Sequence, residues 1–545
     1  MRVSRMSYLA RRMGGLRRQD GFTMVAAMVT MLIASVLVAA ALSAASDDAG
    51  LAQNDLNQKQ AFLAARAGIS DFQFHLNQDP NYWSYCTNVP SPSAVNQAGS
   101  TTNRMTMPGN SGATYAIELL PATGQSQCLT SSPVTSMVEQ TGSAAGTFRI
   151  RSTGYSHGVQ RSIVATFRRK SFLDFVYYTK YETLDPSAYQ SASDRTAAAA
   201  QCDVYYRNGR PTPATSGQNY CVQIFFTSND VVNGPLHTED ELAICGNPVF
   251  GRNSNDRIEI VAPAPGHSNQ GNGGCADNPT FKGQLVTGAG TLEPPPTNAQ
   301  LKQLAASQYQ FTGQTDIVLG SNNITVNTLG NPSQTLPYPS NGVLYVSSSS
   351  CSTTYTPFGV TYTTVSPTWA YSGGSGCGTV TVHGTVGQSL TIASDNDVMV
   401  DGNITTSNGN LLGLIAQNYV RIFHPMTGST NSTCPAGQTN LTGSSTTPNS
   451  LNGPTVDAAM LALTGSFIVD NYNCGAQLGN LNVTGSIGQI YRGPVGLIGS
   501  AGYLKNYTYD DNLRDVEPPH FIEPVQAAWH VIRETECSVS SSAPC

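Results

Sequence analysis

The sequence contains few charged residues for its length. Asp, Glu, Lys and Arg make up 11% of its 545 residues, against about 25% in typical globular chains. The 52 glycines and 31 prolines, with many serines, threonines and asparagines, take up the difference. This composition excludes a coiled-coil rod and an acidic disordered chain and favours a β-rich exported protein. The length predicts two or three domains.

Basic residues are scarce outside the N-terminus. Residues 1–20 contain six arginines and one acid, and the remainder carries 22 basic against 33 acidic side chains. Phosphate binding needs a basic surface, so an acidic body excludes nucleic-acid binding as the main function. Common catalytic motifs are also missing, since no GxSxG, P-loop or HExxH stretch occurs. We therefore expect no nucleic-acid partner, no cofactor and no enzymatic activity.

The twelve cysteines form no CxxC pair and no tight Cys/His cluster of the kind that binds zinc. An even number in an exported chain predicts disulfides, because these persist outside the cytosol. Neighbouring cysteines lie at modest separations, which predicts sequential pairing: Cys86–Cys128, Cys202–Cys221, Cys245–Cys275, Cys351–Cys377, Cys434–Cys474 and Cys537–Cys545. The last pair lies near a chain end, where fraying would leave both thiols free.

An uncharged apolar stretch runs from Phe22 to Ala45. It exceeds the about 20 residues that a membrane helix needs, and the preceding arginines predict that residues 1–20 stay in the cytoplasm. A cleaved secretory signal is a poor fit, because its apolar region has only about 7–15 residues. An uncleaved membrane anchor fits this stretch as one alternative.

The residues before this stretch add a second alternative. The sequence RQDGFTMV at residues 18–25 resembles the class III signal of type IV prepilins. The resemblance implies that a prepilin peptidase cuts between Gly21 and Phe22 and that Phe22 becomes N-methylated. It also implies a bacterial membrane protein with its C-terminal part outside the cell, which joins other pilin subunits at the cell surface.

Two residues depart from the pattern of this family. The fifth residue after the cleavage site is usually Glu, which is thought to neutralise the amine of a neighbouring subunit, and here it is Ala26. Tip pseudopilins of type II secretion systems share this lack, so the resemblance implies a tip subunit instead of a major pilin. Arg66 also stands where minor pilins usually have Glu.

The apolar pattern continues beyond the membrane segment. A stripe at helical spacing contains Phe62, Ala65, Ile69, Phe72 and Leu76, and the Asp79-Pro80 pair predicts the end of the helix. Residues 113–170 alternate as strands do, which predicts a small antiparallel sheet over that stripe. A helix under such a sheet is the arrangement of a pilin head.

Short apolar runs then recur near every ten residues from about 310 to 500, with Gly, Asn, Asp and Ser between them. Stacked coils of a β-solenoid need only a thin apolar interior, so the pattern predicts a right-handed parallel β-helix, with a β-sandwich as the alternative. The fold class is thus α+β, mostly β. The predicted divisions are a leader (1–21), a transmembrane and pilin helix (22–80), a pilin-like β head (81–184), a loop-rich connecting region (185–300), the β-helix (301–500) and a C-terminal cap and tail (501–545).

One acidic cluster within the predicted β-helix could carry chemistry. Asp395, Asp397 and Asp401 are close enough in sequence to act as acid and base or to bind Ca²⁺. Their spacing differs from an EF-hand loop, because Val and Met occupy positions where ligands alternate. We expect these residues on turns between coils, where Asp tolerates a tight backbone, with calcium binding as the alternative.

Together these features predict a minor pilin at the tip of a type IV pilus-like filament. Its body would serve adhesion or pilus assembly, with a surface glycan or a host or abiotic surface as the ligand. The first alternative is an uncleaved, membrane-anchored extracellular scaffold or adhesin. The second is a membrane-tethered, polysaccharide-active β-helix enzyme.

Overall fold

One continuous helix opens the described part of the chain. The computed structural model describes residues 22–537, apart from residues 87–103, 213–220 and 427–450 and a number of shorter gaps. The helix spans Phe22–Gln78 and ends just before the predicted Asp79-Pro80 stop. Its large apolar side chains from Met24 to Leu56 are exposed, whereas Ile69, Phe72 and Leu76 are at most 2% exposed. The helix therefore has a bare apolar half and a packed amphipathic half.

A five-stranded antiparallel sheet covers the packed half of the helix. Aromatic side chains fill the interface, where the rings of Phe148 and Phe167 stack at 5.1 Å and Phe72 meets both. An antiparallel sheet over the helix stripe, as predicted from the alternation of residues 113–170, is thus present, and with the packed half of the helix it forms the head. In spatial order its strands are Met105–Thr106, Thr114–Leu120, Thr147–Ser156, Val159–Arg169 and Trp529–Cys537.

The fifth strand of the head comes from the far end of the chain. Trp529–Cys537 pairs antiparallel with Val159–Arg169, and the Trp529 ring lies edge-on to Phe148 at 4.7 Å. The sequence predicts residues 501–545 as a C-terminal cap and tail, whereas the structure places Ala501–Tyr509 in the body and Trp529–Cys537 in the head. The indole of Trp529 is 3% exposed, so burial against the helix and sheet explains the placement.

The rest of the chain forms a body around one 22-stranded sheet. Most of its pairings are parallel and join strands that are not neighbours in sequence, and its inward residues, such as Ile317, Val382 and Leu414, are fully buried. One parallel ladder contains, in spatial order, Gln310–Thr312, Val343–Ser347, Leu390–Ser394, Leu412–Ala416, Thr455–Ala462, Gln477–Tyr491, Tyr177–Tyr181, Leu236–Thr238, Arg257–Ile260 and Gln284–Thr287.

A second parallel ladder runs beside the first and shares two strands with it. It contains Thr315–Leu319, Val380–Val386, Val398–Thr406, Thr455–Ala462, Gln477–Tyr491, Ala501–Tyr509, Val231–Asn233, Val249–Phe250 and Thr280–Phe281, with a branch through Val420–Ile422 and Phe467–Val469. The antiparallel pairings of this sheet involve Asn323–Thr328, Gln334–Pro337 and Gly496–Leu497. The pairing within this sheet is thus mostly parallel, unlike the antiparallel pairing of a β-sandwich.

The order of strands along the ladders differs from the order along the chain. The chain enters the body in the middle, at Tyr177–Tyr181, and continues to one end at Gln284–Thr287. It then crosses to the opposite end at Gln310–Thr312 and returns to the middle at Ala501–Tyr509. The predicted divisions at 184, 300 and 500 therefore fall inside one body. The first part of the head ends near residue 170, and strands of the predicted connecting region, from Val231–Asn233 to Gln284–Thr287, are part of the ladders.

Several short strands and helices lie outside the two main sheets. The other described strands are Phe226–Thr227, Leu242–Cys245 and His267–Ser268 in one sheet and Tyr362–Val365 with Thr368–Tyr371 in another. The short α-helices are Pro133–Met137, Ala192–Gln201 and Ala299–Leu304, and the 3-10 helices are Tyr82–Tyr85, Phe172–Asp174, Pro186–Ala188, Tyr206–Asn208, Ser307–Tyr309 and Asp511–Arg514.

Four disulfides join described cysteines, and each joins a pair that was predicted from sequence order: Cys86–Cys128, Cys202–Cys221, Cys245–Cys275 and Cys351–Cys377. Cys474 and Cys537 are disulfide-bonded as well. Their predicted partners, Cys434 and Cys545, lie outside the described residues. The four pairs between described cysteines close local loops, and none of these four links the head to the body.

Candidate functional site

The surface that suits filament assembly is the bare half of the N-terminal helix. Its most apolar stretch has a mean hydropathy of 2.5 and none of it is buried within the chain. A helix of this length and composition can cross a bilayer. Met31 and Leu32 are 74% and 66% exposed, and apolar side chains this exposed need a membrane or another apolar partner.

The packed half of the helix is held against the head by two glycines. Gly68 on the helix faces Ser152 and Tyr115, and a β-carbon there would lie 2.2 Å from the Ser152 hydroxyl oxygen. Gly154 on the sheet lies against the helix backbone, and a β-carbon there would lie 1.9 Å from the carbonyl oxygen of Ala61. The helix and the sheet therefore come into backbone contact at Gly154, whereas at Gly68 the helix backbone meets the side chains of Ser152 and Tyr115.

Arg66, the residue that departs from the family pattern, has a partner in the C-terminal strand. Its Nη2 lies 3.4 Å from Oε2 of Glu534, and both side chains are partly exposed. On the same strand, Glu536 accepts a hydrogen bond from Nε of Arg161 at 2.7 Å. A glutamate at position 66 would repel Glu534, whereas Arg66 attracts it. The arginine therefore favours the position of the fifth strand beside the helix.

The residues predicted to be cut and methylated lie at the edge of the described chain. Gly21 lies outside the described residues, and Phe22 is the first residue of the helix. Ala26 lies in the bare half, where its carbonyl oxygen accepts a hydrogen bond from the Thr30 hydroxyl at 2.9 Å. Ala26, at the position where the family usually has Glu, therefore provides no carboxylate, and its side chain is exposed in this chain.

The three aspartates predicted as a calcium alternative have separate partners. Asp395 lies in a bend, where its carboxylate accepts hydrogen bonds from the Tyr345 hydroxyl and, at 2.9 Å, from the Ser348 amide. Asp397 is 1% exposed. Asp401 lies within the strand Val398–Thr406 instead of on a turn. The three carboxylates do not form a common ligand group among the described residues.

Asp397 belongs to a buried ion-pair network. Nη1 of Arg421 donates to it at 3.1 Å, and Nε and Nη2 of Arg421 donate to both carboxylate oxygens of Asp470 at 3.0 and 2.7 Å. Burial raises the pKa of Asp397 to about 6, although Arg421 opposes that shift. Each group is occupied by a structural partner, so the network holds neighbouring strands together and offers no free acid or base.

Asp401 instead joins two residues that sequence reasoning did not group with it. Nδ1 of His383 lies 2.9 Å from Oδ1 of Asp401, and Asp316 comes from the neighbouring strand. The three potential ligand atoms lie within 4.8 Å of one another. These residues are 85 positions apart at most, and only the parallel pairing of their strands brings them together.

A polar cleft of about 390 Å³ opens on the body near the disulfide-closed segment that follows Tyr181. Asp185 accepts a hydrogen bond from the Tyr419 hydroxyl at 2.6 Å, and Asp203 accepts one from the Tyr491 hydroxyl at 2.5 Å. Burial raises the pKa of Asp185 to about 6. Carboxylates, phenols and the amides of Asn396 and Asn418 surround the cleft, a lining suited to a hydroxyl-rich ligand.

The N-terminal residues of the chain match a known sequence motif. Residues 16–42 match the model of the prokaryotic N-terminal methylation motif. The chain carries a class III prepilin signal. The resemblance drawn from residues 18–25 is thereby confirmed, and the bare helix half corresponds to the segment that follows a prepilin cleavage site.

The similarity to solved structures is weaker than the match of the N-terminal motif. The crystal structure of the competence-associated pilin ComZ from Thermus thermophilus aligns with 88% of this chain and 97% of its own, at 12% identity and a TM-score of 0.28. That score is too low to carry a conclusion about this chain. No curated protein matches the sequence.

Proposed function

We propose that the protein is a minor pilin of a type IV pilus-like filament and that it presents its body at the filament tip. The observation that carries the proposal is the prepilin signal at the start of a helix with a bare apolar half. After cleavage, that half would leave the membrane and pack among the helices of other pilin subunits. The prepilin peptidase and those subunits are the partners that this route requires.

The tip position is supported by Ala26 and by the size of the body. A carboxylate inside a filament would need a paired charge, and a chain without that carboxylate does not offer the pairing to a neighbouring subunit above it. A subunit in the filament shaft would also have to fit its 22-stranded body between the subunits above and below. Neither condition applies to a tip subunit, because no subunit lies above it.

We propose that the body is a right-handed parallel β-helix that serves adhesion or pilus assembly. Its parallel ladders support this architecture, and parallel crossovers are right-handed in nearly all proteins. The cleft between Asp185 and Tyr491 supports a surface glycan as the ligand. The structural partners of Asp395 and Asp397 support a role without catalysis, since neither carboxylate is free to act as acid or base.

Filament fractions test the tip position. Pili sheared from cells that express an epitope-tagged chain should carry label at one end, in amounts far below the major subunit. A chain with Gly21→Val should remain in the membrane and be absent from the pili, while Gly50→Val, at a helix position with open space around it, should still be cleaved. Regular label along the shaft would contradict the tip proposal. Sheared pili without any label would favour the uncleaved anchor.

A further inference from the structure

Three strands place two carboxylates and one imidazole on the same face of the body. Thr315–Leu319, Val380–Val386 and Val398–Thr406 pair in parallel, and they carry Asp316, His383 and Asp401 respectively. The residues next to these three, Ile317, Val382 and Val400, point inward and are fully buried. Because side chains alternate along a strand, the polar set lies on the outward face.

The local backbone makes room for the imidazole. The pairing of the last two strands is irregular between Val382 and Gly384, so His383 lies opposite an extra stretch of the neighbouring strand. A β-carbon at Gly402 would lie 2.8 Å from the β-carbon of His383. A side chain at position 402 would displace the imidazole, and the glycine leaves it beside Asp401.

A second buried polar side chain, that of Asn327, lies beside Asp316. Asn327 lies directly opposite Asp316 on the antiparallel strand, where its Nδ2 donates to Oδ2 of Asp316 at 2.9 Å. The Asn327 side chain is 9% exposed, and its Oδ1 is buried without a hydrogen-bond partner. A buried oxygen without a hydrogen-bond partner is unfavourable. A bound cation and its water would provide one.

The charges around the cluster also favour a cation. The side chains of Asp316 and Asp401 are both buried, and the side-chain hydrogen bonds that Asp316 accepts come from Thr381 and Asn327, which carry no charge. The side chain of His383 is 36% exposed, so the cluster has an opening to solvent through which an ion can enter.

We propose that Asp316, His383 and Asp401 bind one divalent transition-metal ion, with Zn²⁺ as the preferred ion. One imidazole nitrogen and two carboxylate oxygens are ligands for Zn²⁺, and a water molecule would complete a four-coordinate site. Ca²⁺ prefers six to eight oxygen ligands, and Mg²⁺ prefers an octahedron of oxygens. The ion would tie three successive strands of one ladder together.

Metal titration of the full-length protein tests this site. The protein is purified in detergent, treated with a chelator, and titrated with Co²⁺, whose visible absorption bands report coordination number and geometry, and then with Zn²⁺ by calorimetry. We expect one ion per chain and displacement of Co²⁺ by Zn²⁺. His383→Gln should weaken binding by at least ~10-fold, and His267→Gln should leave it unchanged. His267 is a matched control because it pairs with Asp277 at 2.8 Å but belongs to no group of three ligands among the described residues.

A second variant guards against loss of folding. Asp401→Asn keeps the size of the side chain and an oxygen that can accept from His383, and it should weaken Co²⁺ binding to a similar extent. The proposal is overturned if the wild-type chain binds no Co²⁺ or Zn²⁺, or if Ca²⁺ competes equally with Zn²⁺. It is also overturned if both folded variants bind as the wild type does.

Discussion

At the scale of single residues, glycine decides how closely the helix approaches the head. Gly154 lies in the middle of a strand, where glycine is normally unfavourable, and its α-carbon meets the backbone of Ala61 and Ala65. The sequence predicts the strand, but it gives no sign that this glycine faces a helix from a distant part of the chain. The contact becomes visible only when the helix and the sheet are placed together.

Substitution of this glycine should loosen the head. In Gly154→Ala the new methyl group would lie 1.9 Å from the Ala61 carbonyl oxygen, so helix and sheet must move apart. Overpacking of this kind destabilises proteins by about 1–3 kcal/mol. Hydrogen exchange of Thr147–Ser156 should rise. Gly273→Ala, at a position with open space around it, is the control, and equal exchange in both variants would contradict the backbone contact.

Asp185 should make stability depend on pH. Burial raises its pKa from 3.8 to about 6, so folding favours the protonated form. The stability from this group is present at low pH and is lost as the pH rises through 6, by about 1.4 kcal/mol between pH 5 and pH 8. The Asp185→Asn variant has no ionisable group at this position, so this pH-dependent fall in its free energy of unfolding does not occur. The difference in the free energy of unfolding between variant and wild type should therefore shift in favour of the variant at pH 8. A difference that is independent of pH would show that the carboxyl titrates normally.

At the scale of secondary-structure elements, local patterns predict the long helix and most head strands, but not the fifth strand. Ile69, Phe72 and Leu76 fall on one helix face at the spacing that the sequence shows, and they are buried as predicted. The strand Trp529–Cys537 pairs with residues more than 350 positions away. Long-range pairing leaves no local periodicity, and the charged residues Arg533, Glu534 and Glu536 resemble a solvated tail.

Removal of the Trp529 side chain should release this strand. The indole is 3% exposed and contacts Phe148 and Trp83, and loss of a buried Trp costs about 3–5 kcal/mol. In Trp529→Ala, the exposed edge of Val159–Arg169 should exchange its amide protons faster. The control is Val525→Ala, because Val525 is 55% exposed and close in sequence. If Trp529→Ala exchanges no faster than this control, the C-terminal segment does not form part of the head.

At the scale of the whole molecule, the ten-residue recurrence predicts stacked strands but not the path between them. Each strand of a ladder pairs with a similar short apolar strand on either side. The apolar pattern of the sequence therefore does not show which segment of the chain is the neighbour of which. The middle of the ladder combines Tyr177–Tyr181 with Ala501–Tyr509, which are far apart in sequence. The group formed by Asp316, His383 and Asp401 was missed for the same reason, since it depends on which strands are adjacent.

Non-reducing peptide mapping should complete the set of disulfides. Cys474 and Cys537 are disulfide-bonded, and sequence order predicts Cys434 and Cys545 as their partners. Such local bridges close loops and each stabilises the fold by about 2–4 kcal/mol. Peptides that join Cys474 to Cys434 and Cys537 to Cys545 are expected. A bridge between Cys474 and Cys545 would contradict sequential pairing and would tie the body to the C-terminal end.

The mass of the mature N-terminal peptide tests the central claim most directly. The protein is isolated from the membrane and pilus fractions of its native host, and its N-terminal peptide is sequenced by mass spectrometry. Cleavage by a prepilin peptidase predicts a chain that begins at Phe22 and carries one methyl group on the amine of that residue. A mature chain that retains residues before Gly21, or that begins at Phe22 without the methyl group, would contradict the account.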